Sequence, residues 1–232
     1  MRTNNHAFIV RYMSAHRKAK AALSLPIKRS MRLAWSHIKQ EFSGHNPRVQ
    51  KADGVVDGVP TGFETWGDEF EKALRDGLTA ALLILINQMR PWFEAQGMNV
   101  DYSTPEELLN AYYARIGGGN PATRIIHTRR ELLQNAIAVG MTAQQVSDEL
   151  DPLFSSDQSD EIADTETSDL LAWMISDFLF NNNVLDWQWI ARMDSVTCPD
   201  CAAKNGIVYG QFDMKPPEHG RCRCIPVPVR NG

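Results

Sequence analysis

All four cysteines fall in the last 35 residues, as Cys198-x2-Cys201 and Cys222-x-Cys224, with His219 three residues before the second pair. A disulfide scaffold spreads its cysteines through the chain, whereas this clustering reads as one metal site. A C-x2-C pair grips an ion through a tight turn, and a second pair from a hairpin completes a tetrahedron. Only four of the five candidates Cys198, Cys201, His219, Cys222 and Cys224 are needed. If a strand begins before Cys222, then Cys222 and Cys224 point to opposite faces, and His219 with one of them completes the set. If the chain turns at Cys222, all four cysteines can bind, with His219 supporting from behind. Four sulfur and nitrogen donors close the coordination sphere and leave no position for water. The expected cofactor is therefore structural Zn2+, with no catalytic residue, stapling a module that has few apolar residues of its own.

Enzyme signatures are missing. No histidine is followed two residues later by Glu, and neither H-E-x-x-H nor G-x-S-x-G occurs. Gly117-Gly118-Gly119 lacks the Lys-Ser/Thr that a phosphate loop uses. His127 reads as a surface histidine on a helix, and Glu166 as an acid in an early helical turn near the positive end.

Charge is distributed unevenly. Residues 1–51 hold 11 Lys/Arg and one acid, whereas residues 131–191 hold 12 Asp/Glu and no Lys or Arg. A basic arm and an acidic middle suggest an interaction protein with polarised surfaces. The longest apolar run, Leu78 to Ile86, is too short for the ~20 residues of a membrane span, and no secretory signal is read at the basic N-terminus.

The periodicity is mostly helical. His6 to Leu23 is helical without a clean stripe, and Pro26 is placed to begin a second helix through Phe42. Residues 43–62, rich in Gly, Pro and Asp, read as a linker. Phe63 to Gln96 repeats apolar residues at three- and four-residue steps, with Pro91 expected to end or kink it near Arg90. Thr104-Pro105-Glu106-Glu107 carries the cap, first-position proline and N3 glutamate of a helix that runs to Arg115. Further helices are expected from Pro121 to Val139 with Gly140 at the cap, from Ala143 to Phe154 behind Thr142, and from Ser159 to Asn181. Leu185 to Met193 alternates, which puts Leu185, Trp187, Trp189, Ala191 and Met193 on one face of a strand. Gly206–Tyr209 and Cys224–Val229 read as short strands, the last held to a sheet edge by Pro226 and Pro228. The expected fold class is α+β: a mainly helical body with a small C-terminal zinc-stabilised β-rich module. The division reads as a basic helical arm and linker over 1–62, a helical domain over 63–183 and the zinc-binding module over 184–232.

Several stretches together resemble one family. They are Glu161-Ile-Ala-Asp-Thr-Glu-Thr167, Trp189 through Asp194-Ser-Val-Thr-Cys-Pro-Asp-Cys201, Asn205-Gly206 and Pro216-Pro-Glu-His-Gly-Arg-Cys-Arg-Cys224. The pattern is similar to that of the phage Mu F-like minor head (head morphogenesis) proteins: an R-T-E-T helix, a strand, D-x-x-T-C-x-x-C, a D/N-G turn and P-P-x-H-x-x-C-R-C. The helix–Gly–helix segment from Arg130 to Val146 also looks like the family, so the resemblance covers about residues 120–232. Asp164 stands where the family has its Arg, and the first 60 residues match no part of the pattern.

The resemblance implies a virion protein without enzymatic activity, present in a few copies inside the capsid near the portal and in the host cytoplasm during assembly. Its partners would be the portal protein and the inner capsid or scaffold, with a role in head assembly, DNA packaging or DNA delivery and no membrane. In the basic arm, Arg11, Arg17, Lys18, Lys20, Lys28, Arg29 and Arg32 are candidates to neutralise phosphates of double-stranded DNA. The acidic stretch would repel DNA and is expected to face a basic protein surface or lie between subunits. Two other classes fit less well. A zinc-ribbon nucleic-acid-binding regulator lacks a recognition helix and has a barely basic module. A metal-dependent nuclease or toxin needs an open metal site, with Asp213, His219 and Arg221 as the candidates near the cysteines.

Overall fold

The computed structural model describes residues 2–43, 56, 58–99, 104–115, 120–184, 186–210, 213, 216, 218–219 and 222–229, with side chains from His6 onward. Most of the 43–62 linker, the Gly117–Gly119 loop, Leu185 and Arg221 lie outside the described residues. The described residues form seven α-helices: α1 (Arg2–Ser43), α2 (Thr61–Ala95), α3 (Pro105–Arg115), α4 (Pro121–Ala138), α5 (Ala143–Leu150), α6 (Ser156–Asn181) and α7 (Pro199–Lys204). A 3-10 turn, Asp151–Phe154, follows α5, and three strands are present: β1 (Asp186–Ile190), β2 (Val208–Gly210) and β3 (Ile225–Val229). The fold is thus mainly helical α+β with a small three-stranded C-terminal sheet.

The caps are where the sequence puts them. Thr104 Oγ1 accepts from the Glu107 amide while Glu107 Oε2 accepts from the Thr104 amide, and Thr142 and Gln145 form the same box. Gly140 takes φ +73° and ends α4, with the Met141 amide reaching back to the Ala136 carbonyl.

Three expectations are corrected. Pro26 does not begin a helix but lies inside the continuous α1, where it only withholds an N–H from the Ala22 carbonyl. Pro91 does not end α2. The helix runs on to Ala95 because Trp92 and Phe93 are buried, and Gly97 (φ +70°) closes it with the Met98 amide on the Phe93 carbonyl. A helix-interior proline costs ~3 kcal/mol, and burying two large aromatic side chains offsets that. Finally, α6 starts at Ser156, one turn before Ser159, because Ser155 Oγ caps the Gln158 amide. Ser159 is buried, its hydroxyl donating to the Ser155 carbonyl.

Contacts divide the chain into two compact units, each assembled from separated segments. One comprises the chain up to Ala22, Leu78–Tyr112 and everything from Ala163 onward. Its helical core joins Phe8 to Trp92 (ring centroids 4.7 Å apart), Phe93 to Phe178 (3.9 Å) and Tyr112 to Trp173 (5.7 Å). The other comprises Leu23–Gly77 and Tyr113–Ile162. Its core gathers Trp35, Phe63 and Trp66 around Phe154, with Trp35 stacked on Phe154 at 5.2 Å.

Within each unit α1 runs antiparallel to α6, and its lysines meet the acidic stretch. Lys20 pairs with Asp164 (2.9 Å) in the first unit; Lys28 pairs with Asp160 (2.7 Å) and Lys39 with Asp151 in the second. Part of the acidic stretch therefore faces the chain's own basic helix. In the second unit α1 also crosses α2 closely at Gly77, where an added Cβ would stand 2.6 Å from Leu23 Cδ1 and 3.4 Å from Leu23 Cα. Leu23 is fully buried and cannot swing aside. Gly77→Ala is expected to lower stability by about 1–3 kcal/mol through overpacking, despite alanine's better helix propensity, as read by chemical denaturation.

The sheet has order β2-β1-β3, antiparallel throughout, with Trp187 opposite Tyr209 and Pro228, and Trp189 opposite Pro226. β3 with its two prolines is an edge strand, as their missing donors require. Trp187, Trp189 and Ala191 are buried on the expected face, but the strand stops at Ile190. Met193, expected on that face, is instead 58% exposed at φ +53°. The cause is local: Asn205 Oδ1 takes the Ala191 amide and draws the chain into a turn.

Candidate metal centre

Three short elements of the first unit bring the donors together. Pro199 opens α7, and Cys198 precedes it as the N-cap, its Sγ accepting from the Cys201 amide at 3.3 Å. Asp194 and Thr197 lock the turn before it. The Asp194 amide donates to Thr197 Oγ1, and the Thr197 hydroxyl donates back to Asp194 Oδ1. On the other side the Cys222 amide donates to the His219 carbonyl, so the chain turns there and β3 begins only at Ile225. Cys222 and Cys224 are therefore not alternating strand residues, and both lie on the cluster.

His219 Nε2 is 3.3 Å from both Cys198 Sγ and Cys201 Sγ, and Cys201 Sγ is 3.8 Å from Cys222 Sγ. The donors form two triangles that share Cys201: Cys198–Cys201–His219 and Cys201–Cys222–Cys224, each with its ligand atoms within 4.8 Å. Cys201, Cys222 and Cys224 are buried, while His219 is exposed and Cys198 half-buried. A tetrahedron with sulfurs ~2.3 Å from its centre has edges of about 3.8 Å, the Cys201–Cys222 separation. Soft thiolate and imidazole donors at this spacing fit zinc, so the cluster can hold a metal ion.

The four sulfurs are electrostatically unequal. A hydrogen bond from the Cys201 amide lowers the Cys198 thiol, while burial pushes Cys201 up to about 12. A hydrogen bond with the Cys224 thiol pulls Cys222 down to about 5, and the same bond raises Cys224.

The residues around the cluster brace it. Arg223, between the two cysteines of the second pair, donates from both terminal nitrogens to the Asp194 carboxylate. That clamp ties the turn before Cys198 to the turn carrying Cys222 and Cys224. Lys204 of α7 pairs with Glu218, and its ammonium lies 5.0 Å from the Trp189 ring centroid. Gly206 holds φ +85° and donates to the Trp189 carbonyl at 2.7 Å. The spacing of Asp194, Thr197 and Asn205-Gly206 was visible in the sequence, but these partners were not.

Hydrogen bonds from Arg223 hold the Asp194 carboxyl down to about 2. A depressed carboxyl stabilises the fold above its ordinary value of 3.8, and that contribution is lost as pH falls through 3.8 toward about 2. Asp194→Asn is expected to remove this part of the acid transition, read by near-UV circular dichroism from pH 5 to pH 2.

The other candidates lie elsewhere. Arg11, Arg17, Lys18, Arg29 and Arg32 are exposed on α1, whereas Lys20 and Lys28 are engaged by Asp164 and Asp160. His127 is an exposed helical residue 3.4 Å from Glu131. Glu166 is not in an early turn; it is buried mid-helix in α6, with the Tyr112 hydroxyl donating to it at 3.4 Å. Asp213 Oδ2 accepts from the Gly210 amide at the end of β2.

Residues 127–227 match the family model described as Phage Mu protein F like protein. The C-terminal part of this chain is similar to phage Mu protein F. The Mu F-like segment takes in α4 from His127, α5, α6, the sheet through Val227 and every candidate ligand. No curated protein and no solved structure matches the chain. Within the segment, Asp164, at the position of the family's Arg, bonds Lys20 of α1. No helix among the described residues is long and apolar enough to cross a membrane.

Proposed function

We propose that this chain is a phage minor head protein that docks at the portal or inner capsid during head assembly and holds one structural zinc ion in its C-terminal module. The Mu F-like match over residues 127–227 carries this reading, since it supports a head-morphogenesis protein with a structural role. The cluster supports a non-catalytic metal. Its five candidate donors exceed the four that zinc takes, and the cavity beside it, lined by Arg192, Cys198, Cys201 and His219, measures about 20 Å³. That is room for about one water molecule, not for a substrate. The zinc would be held by four of Cys198, Cys201, His219, Cys222 and Cys224, and would supply a crosslink between α7 and the turn before β3. α7 has only six residues, which argues against a zinc-ribbon regulator with a recognition helix.

The test is composition of the particle. The chain should copurify with procapsids and mature virions in a few copies, and should be retained by the portal protein when the two are co-expressed. Absence from both particles sinks the reading.

A DNA-contacting role for α1 has its own support in the exposed Arg11, Arg17, Lys18, Arg29 and Arg32. Duplex binding by the full chain should then weaken with salt. With at most five phosphates engaged, the log–log slope should be no steeper than about −4.5. Binding that is absent at low salt removes the DNA role and leaves the portal role intact.

A further inference from the structure

In the second compact unit, Leu25, Arg29, Arg32, Leu33 and Ser36 of α1 follow at three- and four-residue steps and form one exposed stripe. Ile27, Met31 and Ala34, on the other side of the helix, are buried. The stripe leaves two leucines in water, Leu25 at 72% exposure and Leu33 at 43%. Its cations are also unspent. Lys28 and Lys39 are taken by Asp160 and Asp151, but neither Arg29 nor Arg32 has an ion-pair partner among the described residues. The same unit carries the reverse pattern on α2. Glu64, Asp68 and Glu71 form an exposed acidic stripe, while Phe63, Trp66 and Phe70 of that helix are buried. None of the three acids is paired among the described residues, and the neighbouring Lys72 is held by Asp76. α2 starts beside the end of α1, where the Glu41 carboxylate accepts from the Thr61 and Gly62 amides. Even so, no hydrogen bond or ion pair joins the two stripes among the described residues.

We propose that the two stripes are the halves of a self-association surface, the basic stripe of α1 in one copy of this chain seating against the acidic stripe of α2 in the next. Complementary charge is the argument: one unit carries both signs, each exposed and each without a partner of its own. The lengths also agree. At 1.5 Å per residue, Leu25 to Leu33 spans about 12 Å and Glu64 to Glu71 about 10 Å. A second copy covers Leu25 and Leu33 with the methylene stems of its glutamates, whereas the phosphates of duplex DNA would take Arg29 and Arg32 and leave both leucines in water. Because different surfaces meet, the contact is heterologous, and every copy keeps one free half of each kind for further copies. A seam of two to three helical turns is smaller than a standard interface, so the association is weak and depends on concentration. The surface contains none of the candidate metal ligands, so it stands apart from the metal reading.

The experiment is sedimentation velocity on the purified full chain over a concentration series. The chain should associate in ~0.1 M salt and dissociate in ~1 M, where the screening length falls from ~10 Å to ~3 Å. A chain that stays monomeric throughout overturns the proposal. Two double variants then reverse one stripe each: Arg29→Glu with Arg32→Glu, and Glu64→Lys with Glu71→Lys. All four positions are exposed, so near-UV circular dichroism should match the parent for both variants. Each variant alone should associate about tenfold or more weakly than the parent, because like charges now face each other across the seam. Mixed in equal amounts, the two should associate again, since each reversed stripe meets a stripe of opposite sign. Undiminished association of either variant, or a mixture that stays monomeric, overturns the proposal. So does a basic-stripe variant that loses duplex DNA binding while its self-association is intact, which would assign Arg29 and Arg32 to nucleic acid instead.

Discussion

Replacing Cys201 with serine should remove the metal and unfold residues 186–229 together. Cys201 is the one residue common to both donor triangles and is buried at 2% exposure. No arrangement of the remaining donors keeps the closest contacts, because Cys201 Sγ supplies both the 3.8 Å approach to Cys222 and one of the two 3.3 Å approaches to His219. Structural zinc in small modules binds with roughly 10–16 kcal/mol, most of which appears as folding energy. Zinc affinity should therefore fall by more than about a thousandfold. Cys198→Ser and His219→Ala should cost much less, about ten- to a hundredfold, because a fifth donor stands by to complete the sphere. Chelator competition gives the affinities, and the near-UV signal of Trp187, Trp189 and Tyr209 reports the fold of the sheet. Equal losses across all three variants would mean that the five donors do not act as four plus a reserve.

This ranking was out of reach of the sequence. Spacing alone picked out the five candidate donors, because C-x2-C and H-x2-C-x-C are local patterns. Which of them lie deep depends on where β3 begins. That point is set by the turn in which Cys222 bonds back to His219, a contact invisible to periodicity. Local chemistry was legible wherever the cap and its partner lie within one turn, as at Thr104–Glu107 and Thr142–Gln145. It failed where distant packing overrules propensity. Pro91 looks like a terminator until Trp92 and Phe93 are buried, and Pro26 like an initiator until Ser24 before it and Lys28 after it both bond Asp160 of α6. The charge pattern misled for a related reason. Lys20, Lys28 and Lys39 meet Asp164, Asp160 and Asp151 from more than 100 positions away, so a basic arm and an acidic middle that read as separate surfaces partly neutralise one another.

Arg129→Ala should be the most damaging single change in the second compact unit. Arg129 is 5% exposed, and its guanidinium lies 5.9 Å from the Trp66 ring centroid and 5.7 Å from that of Phe154. It donates to the Leu153 carbonyl from Nε and from one terminal nitrogen (2.8 Å), and from the other to the Ile125 carbonyl at 3.3 Å. Burial lowers its pKa to about 10, so the side chain stays charged at neutral pH. Its hydrogen bonds tie α4 to the 3-10 turn that presents Phe154 to Trp35, Phe63 and Trp66. Truncation opens a cavity under two aromatic rings and strands the Leu153 carbonyl, a combined loss of about 3–5 kcal/mol. Arg129→Met, which fills the space without the donors, should recover about half of that, since replacing a buried charge by an apolar chain of similar volume also removes its desolvation penalty. Guanidinium unfolding followed by tryptophan fluorescence distinguishes the two. If methionine proves as harmful as alanine, the hydrogen bonds to Leu153 outweigh the packing. If both variants are as stable as the parent, Arg129 does not hold this core together.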